Sequence, residues 1–212
     1  MVKVGINGLG RIGRATLKII LETPELEFVG ANDIADLENI AYLIKYDTAY
    51  GRYEKSVEVE GSNLVIDGTS YPYFSERDPA NLPWDEVGAE IIFESTGFFR
   101  TPEAAGKHLQ AGAKAVIISA PAKGDVPMVV HGVNTEEGRV EMFSVASCTT
   151  NSITPVVEIM NRHFGVVKAI MTTIHGYTST QALVDAPNSK DFRRGRAAAA
   201  NMVPTTTGAA IA

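Results

Sequence analysis

From Val2 to Asn7 the chain alternates apolar residues and then runs directly into Gly8-Leu9-Gly10-Arg11-Ile12-Gly13, a junction that strongly restricts its possible folds. The stretch predicts a buried strand. The next segment, Arg11 to Leu21, carries Ile12, Leu17 and Ile20 near helical spacing and predicts the following helix. Glu27 to Asn32 predicts a second strand and Asp36 to Lys45 a second helix. Strand, helix, strand and helix in this order form a βαβ unit and imply a parallel sheet with an α/β fold.

Later segments extend the scheme. Val57–Val59 and Leu64–Ile66 flank Glu60-Gly61-Ser62-Asn63 and predict an inserted hairpin. Ile91-Ile92-Phe93 predicts another core strand, running into Glu94-Ser95-Thr96-Gly97. Thr101-Pro102-Glu103 opens a helix, with Thr as N-cap and Pro in the first turn. Ala115 to Ile118 predicts the next strand. From Ser147 the pattern changes: Cys148 to Phe164 reads as a long helix and Val166 to Ile174 as a long apolar strand. The reading gives residues 1–147 as a Rossmann dinucleotide-binding domain and 148–212 as the first part of an α+β catalytic domain. A net charge of −6 argues against a nucleic-acid or anionic-membrane surface. One cysteine excludes an intrachain disulfide, and no targeting or membrane-spanning stretch is evident.

The spacing Gly8-x-Gly10-x-x-Gly13, between a strand and a helix, has the context a dinucleotide requires. Gly8 permits a tight turn, Gly10 lets the backbone approach a pyrophosphate, and Gly13 lets helix and strand pack closely. Arg11 and Ile12 stand at the helix N-terminus, where free N–H groups and the positive dipole end favour phosphate. A glycine-rich turn without a ligand is the competing reading. Asp33, at the end of the second strand, favours the first, because an acid there accepts from a ribose 2′-OH and repels a 2′-phosphate. NAD is thus expected over NADP, with a loop or capping acid as the alternative role for Asp33.

Cys148 lies in Ser147-Cys148-Thr149-Thr150-Asn151 at the start of a predicted helix, whose dipole stabilises a thiolate. A lone cysteine is often only a small buried hydrophobe. His175, which follows the apolar run Val166 to Ile174, is a candidate partner base, with a structural histidine at a strand end as the competing reading. His108, His131 and His163 carry no comparable context. Thiolate plus nicotinamide cofactor points to aldehyde oxidation through a covalent thioester, with the backbone N–H of Cys148 available to an oxyanion. No metal enters this reading.

These segments together resemble the phosphorylating, NAD-dependent glyceraldehyde-3-phosphate dehydrogenase family. The resemblance rests on NGxGRIGR from Asn7, Asn32-Asp33, Glu94 to Gly97, Ile118 to Lys123, Ser147 to Asn151, and Pro204 to Ala210. It implies that Arg77 contacts the adenosine half of the cofactor and that Thr96 and Ser119 lie near the nicotinamide. It also implies that Ser147, Thr149, Thr207 and Gly208 surround the attacking inorganic phosphate. Thr178 and Arg194 would hold the substrate phosphate, with Arg196 as an alternative that otherwise braces the loop. The implied substrates are glyceraldehyde 3-phosphate and inorganic phosphate, in a cytoplasmic homotetramer. An erythrose-4-phosphate dehydrogenase and a non-catalytic NAD-binding fragment are the competing assignments. Ser152, Gly176 and Ala186 depart from common family residues; Ala186 weakens the inference about cofactor preference. Family members continue well past Ala212, and a further phosphate-binding arginine and later sheet strands lie there. The 212 residues alone are therefore expected to be poorly stable and to lack normal dehydrogenase activity.

Overall fold

The structure is a computed structural model that describes residues 1–135 and 140–209. The chain divides into two compact units, Met1–Ser147 and Cys148–Ala212. The resemblance segment beginning at Pro204 ends on Ala210, which lies outside the described residues.

The first unit opens with β1 (Val2–Asn7), α1 (Arg11–Ile20), β2 (Leu26–Asn32) and α2 (Leu37–Lys45). Asp36 stands just outside α2 as its N-cap, its side chain accepting from the Asn39 N–H. A two-residue pair, β3 (Tyr46–Asp47) and β4 (Gly51–Arg52), follows. The expected hairpin is present as β5 (Val57–Glu60) and β6 (Asn63–Ile66), and it continues into β7 (Thr69–Phe74). Then come β8 (Ile91–Glu94), α3 (Pro102–Ala105), α4 (Lys107–Gln110), β9 (Ala115–Ile118) and β10 (Met142–Ser144). Thr101 caps α3 by accepting from the Ala104 N–H at 3.3 Å.

These strands form one sheet in the order β10-β9-β8-β1-β2-β7-β6-β5. The pairs from β10 through β7 are parallel, and β7-β6-β5 is an antiparallel extension. Parallel strands are buried on both faces, and β1 shows how. Val4 and Ile6 pack with Leu17 and Ile20 of α1 and Ile40 and Ile44 of α2. Gly5, on the opposite face, approaches Ile92 and Trp84, which belong to a second cluster with Leu82 and Ala111. Trp84 is fully buried, so removing its side chain would cost about 3–5 kcal/mol.

In the second unit, α5 (Cys148–Phe164) spans the helix expected from sequence, with Pro155 inside it. The strand expected over Val166–Ile174 is not formed. Val167, Ile170 and Ile174 are almost fully exposed, and among the described residues no strand of this unit pairs with them. A strand owes its geometry to a hydrogen-bonded neighbour, and an apolar run without one stays irregular. Among the described residues no helix is long and apolar enough to cross a membrane.

Candidate active site

The cofactor half is built where the sheet changes direction. Asn7 ends β1 beside Glu94, which ends β8, while β2 flanks β1 on the other side. Strand order reverses about β1, and open α/β sheets bind ligands at the carboxyl ends of strands at such a point. The loop glycines differ in their surroundings. Gly8 has φ +92°, and a Cβ there would stand 2.7 Å from the Thr96 nitrogen. At Gly13 a Cβ would lie 1.9 Å from the Gly8 carbonyl oxygen. At Gly10 a Cβ would meet nothing within 4 Å. The loop is packed against protein at Gly8 and Gly13 and open at Gly10, where α1 begins with no side-chain cap. Its free N–H groups and open face fit a pyrophosphate.

Asp33 is half-buried. Its carboxylate accepts from the Leu9 N–H at 2.7 Å and the Ala35 N–H at 2.9 Å, so it braces the glycine loop from the end of β2. Each oxygen retains a second lone pair, which leaves the ribose role open to it. Arg11 is exposed, and its guanidinium pairs with Asp47 at 2.5 Å and lies over the Tyr50 ring. The Asp47 carboxyl is held below the usual range chiefly by the Tyr50 N–H, with the Ala49 N–H and Arg11 adding to it against burial. Ile12 is exposed, so it offers the loop its backbone rather than a packed side chain.

Glu94 gathers the residues expected on the nicotinamide side. Its carboxylate accepts from the Thr96 N–H at 2.8 Å and from the Thr96 hydroxyl, and its carbonyl accepts from the Ser119 N–H at 2.9 Å. Arg77, expected on the adenosine side, is exposed and follows Glu76, whose N–H and carbonyl both bind the Asn32 side chain. The sequence assigns no role of their own to Glu94, Asn7, Trp84 and His108, which form a buried polar chain beneath these positions. An acid closing the apolar strand Ile91-Ile92-Phe93 was the available signal.

In the second unit, Cys148 opens α5 with its sulfur exposed and 3.1 Å from His175 Nε2. His175 Nδ1 is 2.6 Å from the Gly176 carbonyl oxygen. A carbonyl only accepts, so Nδ1 carries a proton and Nε2 faces the sulfur. The His175 hydrogen bond is the main reason the Cys148 thiol lies below its ordinary value, with the Thr149 N–H and hydroxyl contributing and burial opposing. His175 is raised, first by the Gly176 carbonyl and then by Cys148. Both shifts favour thiolate beside imidazolium.

Thr178 and Thr207 bond near neighbours in their own segments. Ser147 closes the first unit immediately before Cys148. The Thr178 and Thr180 hydroxyls are 2.9 Å apart, and the Thr207 hydroxyl accepts from the Ala209 N–H. Gly208 is exposed with open space around it. Among the described residues, hydrogen bonds join Cys148 to Thr149 and His175, and tie none of Thr178, Arg194, Thr207 and Gly208 to them. The arginine loop separates its members: Arg193 pairs with Asp191 at 2.9 Å and Arg196 with Asp185 at 2.8 Å, whereas Arg194 donates to the Thr205 hydroxyl at 2.5 Å.

Fold and site define a dinucleotide-binding α/β protein whose second unit carries an activated cysteine. Residues 2–102 match the family model for the NAD binding domain of glyceraldehyde 3-phosphate dehydrogenase, and residues 147–212 match that for its C-terminal domain. The chain belongs to the glyceraldehyde-3-phosphate dehydrogenase family, and NAD is the cofactor its first domain fits. It is 50% identical over 211 residues to the cytosolic glyceraldehyde-3-phosphate dehydrogenase of Leishmania mexicana, covering 99% of this chain and 63% of that protein. Proteins named glyceraldehyde-3-phosphate dehydrogenase, from Hypocrea atroviridis (52% identity, 100% of this chain, 63% of that protein) and Bacteroides fragilis (49%, 100% and 65%), are similar as well. The chain thus spans less than two-thirds of the length of these relatives.

Proposed function

We propose that the protein carrying this chain oxidises glyceraldehyde 3-phosphate with NAD and inorganic phosphate, giving 1,3-bisphosphoglycerate and NADH, as a cytoplasmic homotetramer in glycolysis. The Cys148–His175 pair at 3.1 Å is the observation that carries the reading. The Cys148 thiolate adds to the aldehyde carbon, and the His175 imidazolium gives its proton to the carbonyl oxygen, forming a hemithioacetal. His175 then takes that proton back as the carbonyl re-forms. The chemistry supplied by bound NAD is acceptance of the hydride from the hemithioacetal carbon, which leaves a thioester on Cys148. A phosphate oxygen attacks the thioester, the C–S bond breaks, and the acyl phosphate leaves with thiolate restored. The Cys148 backbone N–H, at the start of α5, serves the oxyanion of each tetrahedral species.

Gly8, Gly10, Arg11, Ile12, Gly13, Asp33, Arg77, Thr96 and Ser119 would hold the cofactor. Ser147, Thr149, Thr207 and Gly208 would hold the attacking phosphate, and Thr178 and Arg194 the substrate phosphate. Arg194 suits this role better than Arg196, because Arg196 is already neutralised by Asp185. The test is NADH formation by the whole protein with glyceraldehyde 3-phosphate, with and without inorganic phosphate. Strict phosphate dependence, abolished by Cys148→Ser, is expected. Phosphate-independent NADH formation that is faster with erythrose 4-phosphate would overturn the assignment.

A further inference from the structure

The polar groups buried under the cofactor loop form one continuous hydrogen-bond chain. Trp84, His108 and Glu94 are fully buried, and Asn7 is nearly so. The Trp84 indole N–H, which can only donate, meets His108 Nδ1 at 3.0 Å. Nδ1 is therefore the acceptor and Nε2 carries the ring proton. His108 Nε2–H then donates to Glu94 Oε2 at 3.0 Å, and Asn7 Nδ2 donates to the same oxygen at 2.6 Å. The other oxygen, Oε1, accepts both the N–H and the hydroxyl of Thr96. Asn7 Oδ1 in turn accepts from Asn32 at 2.7 Å.

Each group has only one role open to it. The indole fixes the imidazole tautomer, the imidazole and Asn7 fix one carboxylate oxygen, and the other oxygen fixes the Thr96 turn. A Cβ on Gly8 would touch Thr96, so this turn also sets the wall of the glycine loop. Four donors, from Asn7 on β1, His108 on α4 and both groups of Thr96 just past β8, fill the lone-pair sites of the Glu94 carboxylate and fix its plane against that turn.

We infer that Trp84 and His108 are positioning residues for the nicotinamide half of the cofactor, acting through Glu94 on Thr96. The inference rests on the reading that Thr96 lies on the nicotinamide side. Trp84→Phe keeps an aromatic ring in the pocket but removes the N–H together with part of the indole, so the unfolding midpoint is read beside binding; loss of the N–H frees the imidazole to turn its proton away from Glu94. Thr96→Val removes the hydroxyl at the other end.

The test uses the whole protein and measures dissociation constants for NAD and for AMP, which carries only the adenosine half, together with the unfolding midpoint. In Trp84→Phe the NAD constant is expected to rise about three- to tenfold, the size of one or two neutral hydrogen bonds, with AMP affinity unchanged. Trp84→Phe combined with Thr96→Val should bind NAD no more weakly than the worse single variant, because both break the same chain. Equal weakening of NAD and AMP, or strictly additive effects, would overturn the inference and leave a stability role only. Failure of the unsubstituted protein to bind NAD would overturn the cofactor reading itself. His108→Gln provides a second variant if Trp84→Phe unfolds, since its amide N–H can still reach Glu94. It should keep NAD affinity closer to that of the unsubstituted protein than His108→Leu does, and equal losses in the two would count against positioning.

Discussion

Cys148 and His175 each move the other toward its charged form, and the signs of the two shifts set the direction of the pH dependence. The folded thiol value is lowered, so its contribution to stability is present above the unfolded thiol value and is lost as pH falls through the folded one. The folded imidazole value is raised, so its contribution is complete below about 6.5 and is lost as pH rises through the folded value. Both groups are exposed, so solvent screens the pair and its effect shows in reactivity more than in stability. The two shifts bring the titrations of thiol and imidazole toward each other and so favour coexistence of thiolate and imidazolium. Alkylation of Cys148 by iodoacetamide, followed against pH, should rise at a lower pH than for an ordinary thiol. In His175→Asn the rise should move up toward about 8.5, the ordinary thiol value. An unchanged profile would show that His175 does not hold the thiol down.

The contact between α1 and β1 gives two glycines of one loop opposite tasks. At Gly13 a Cβ would sit 1.9 Å from the Gly8 carbonyl, so Gly13→Ala forces helix and strand apart. A loss of about 1–3 kcal/mol is expected in denaturant unfolding, with NAD binding lost as the loop shifts. At Gly10 a side chain meets open space, so Gly10→Ala should stay within about 1 kcal/mol of the parent while still weakening NAD binding. Equal unfolding midpoints for the two variants would refute this division. The strand–helix alternation of β1, α1, β2 and α2 was legible because each segment buries a face with its own period. β7 was not: Thr69-Ser70-Tyr71-Pro72-Tyr73-Phe74 contains a proline and owes its place to β6 and to two residues of β2. β10 is three residues long and too short to show a period. That Cys148 and His175 face each other was suggested by residue type together with the family resemblance, and they lie 3.1 Å apart. Glu94 and His108 were not legible, because only the fold brings Trp84, Asn7 and Thr96 to them.

At the scale of the molecule, the two units differ in how their backbones are held. In the first, β1 has a parallel neighbour on each side, and Val4 and Ile6 are fully buried. In the second, α5 leads into a stretch whose apolar residues Val167, Ile170 and Ile174 are exposed by 104%, 93% and 91%. An amide exchanges slowly only where its hydrogen bond must break for water to reach it, and opening of a central strand requires near-global unfolding. Deuterium uptake followed by mass spectrometry on the 212-residue chain should therefore be slowest over β1, β2 and β8. Peptides covering Val166 to Ile174 should exchange nearly as fast as unstructured chain. The apolar character of that segment nevertheless suits a strand, and what it lacks is a ladder on either side. Slow exchange there would mean that a partner strand, from another copy or another stretch of chain, has supplied the ladder. Repeating the measurement at rising protein concentration separates these cases, since only pairing between copies would deepen the protection as the chain is concentrated.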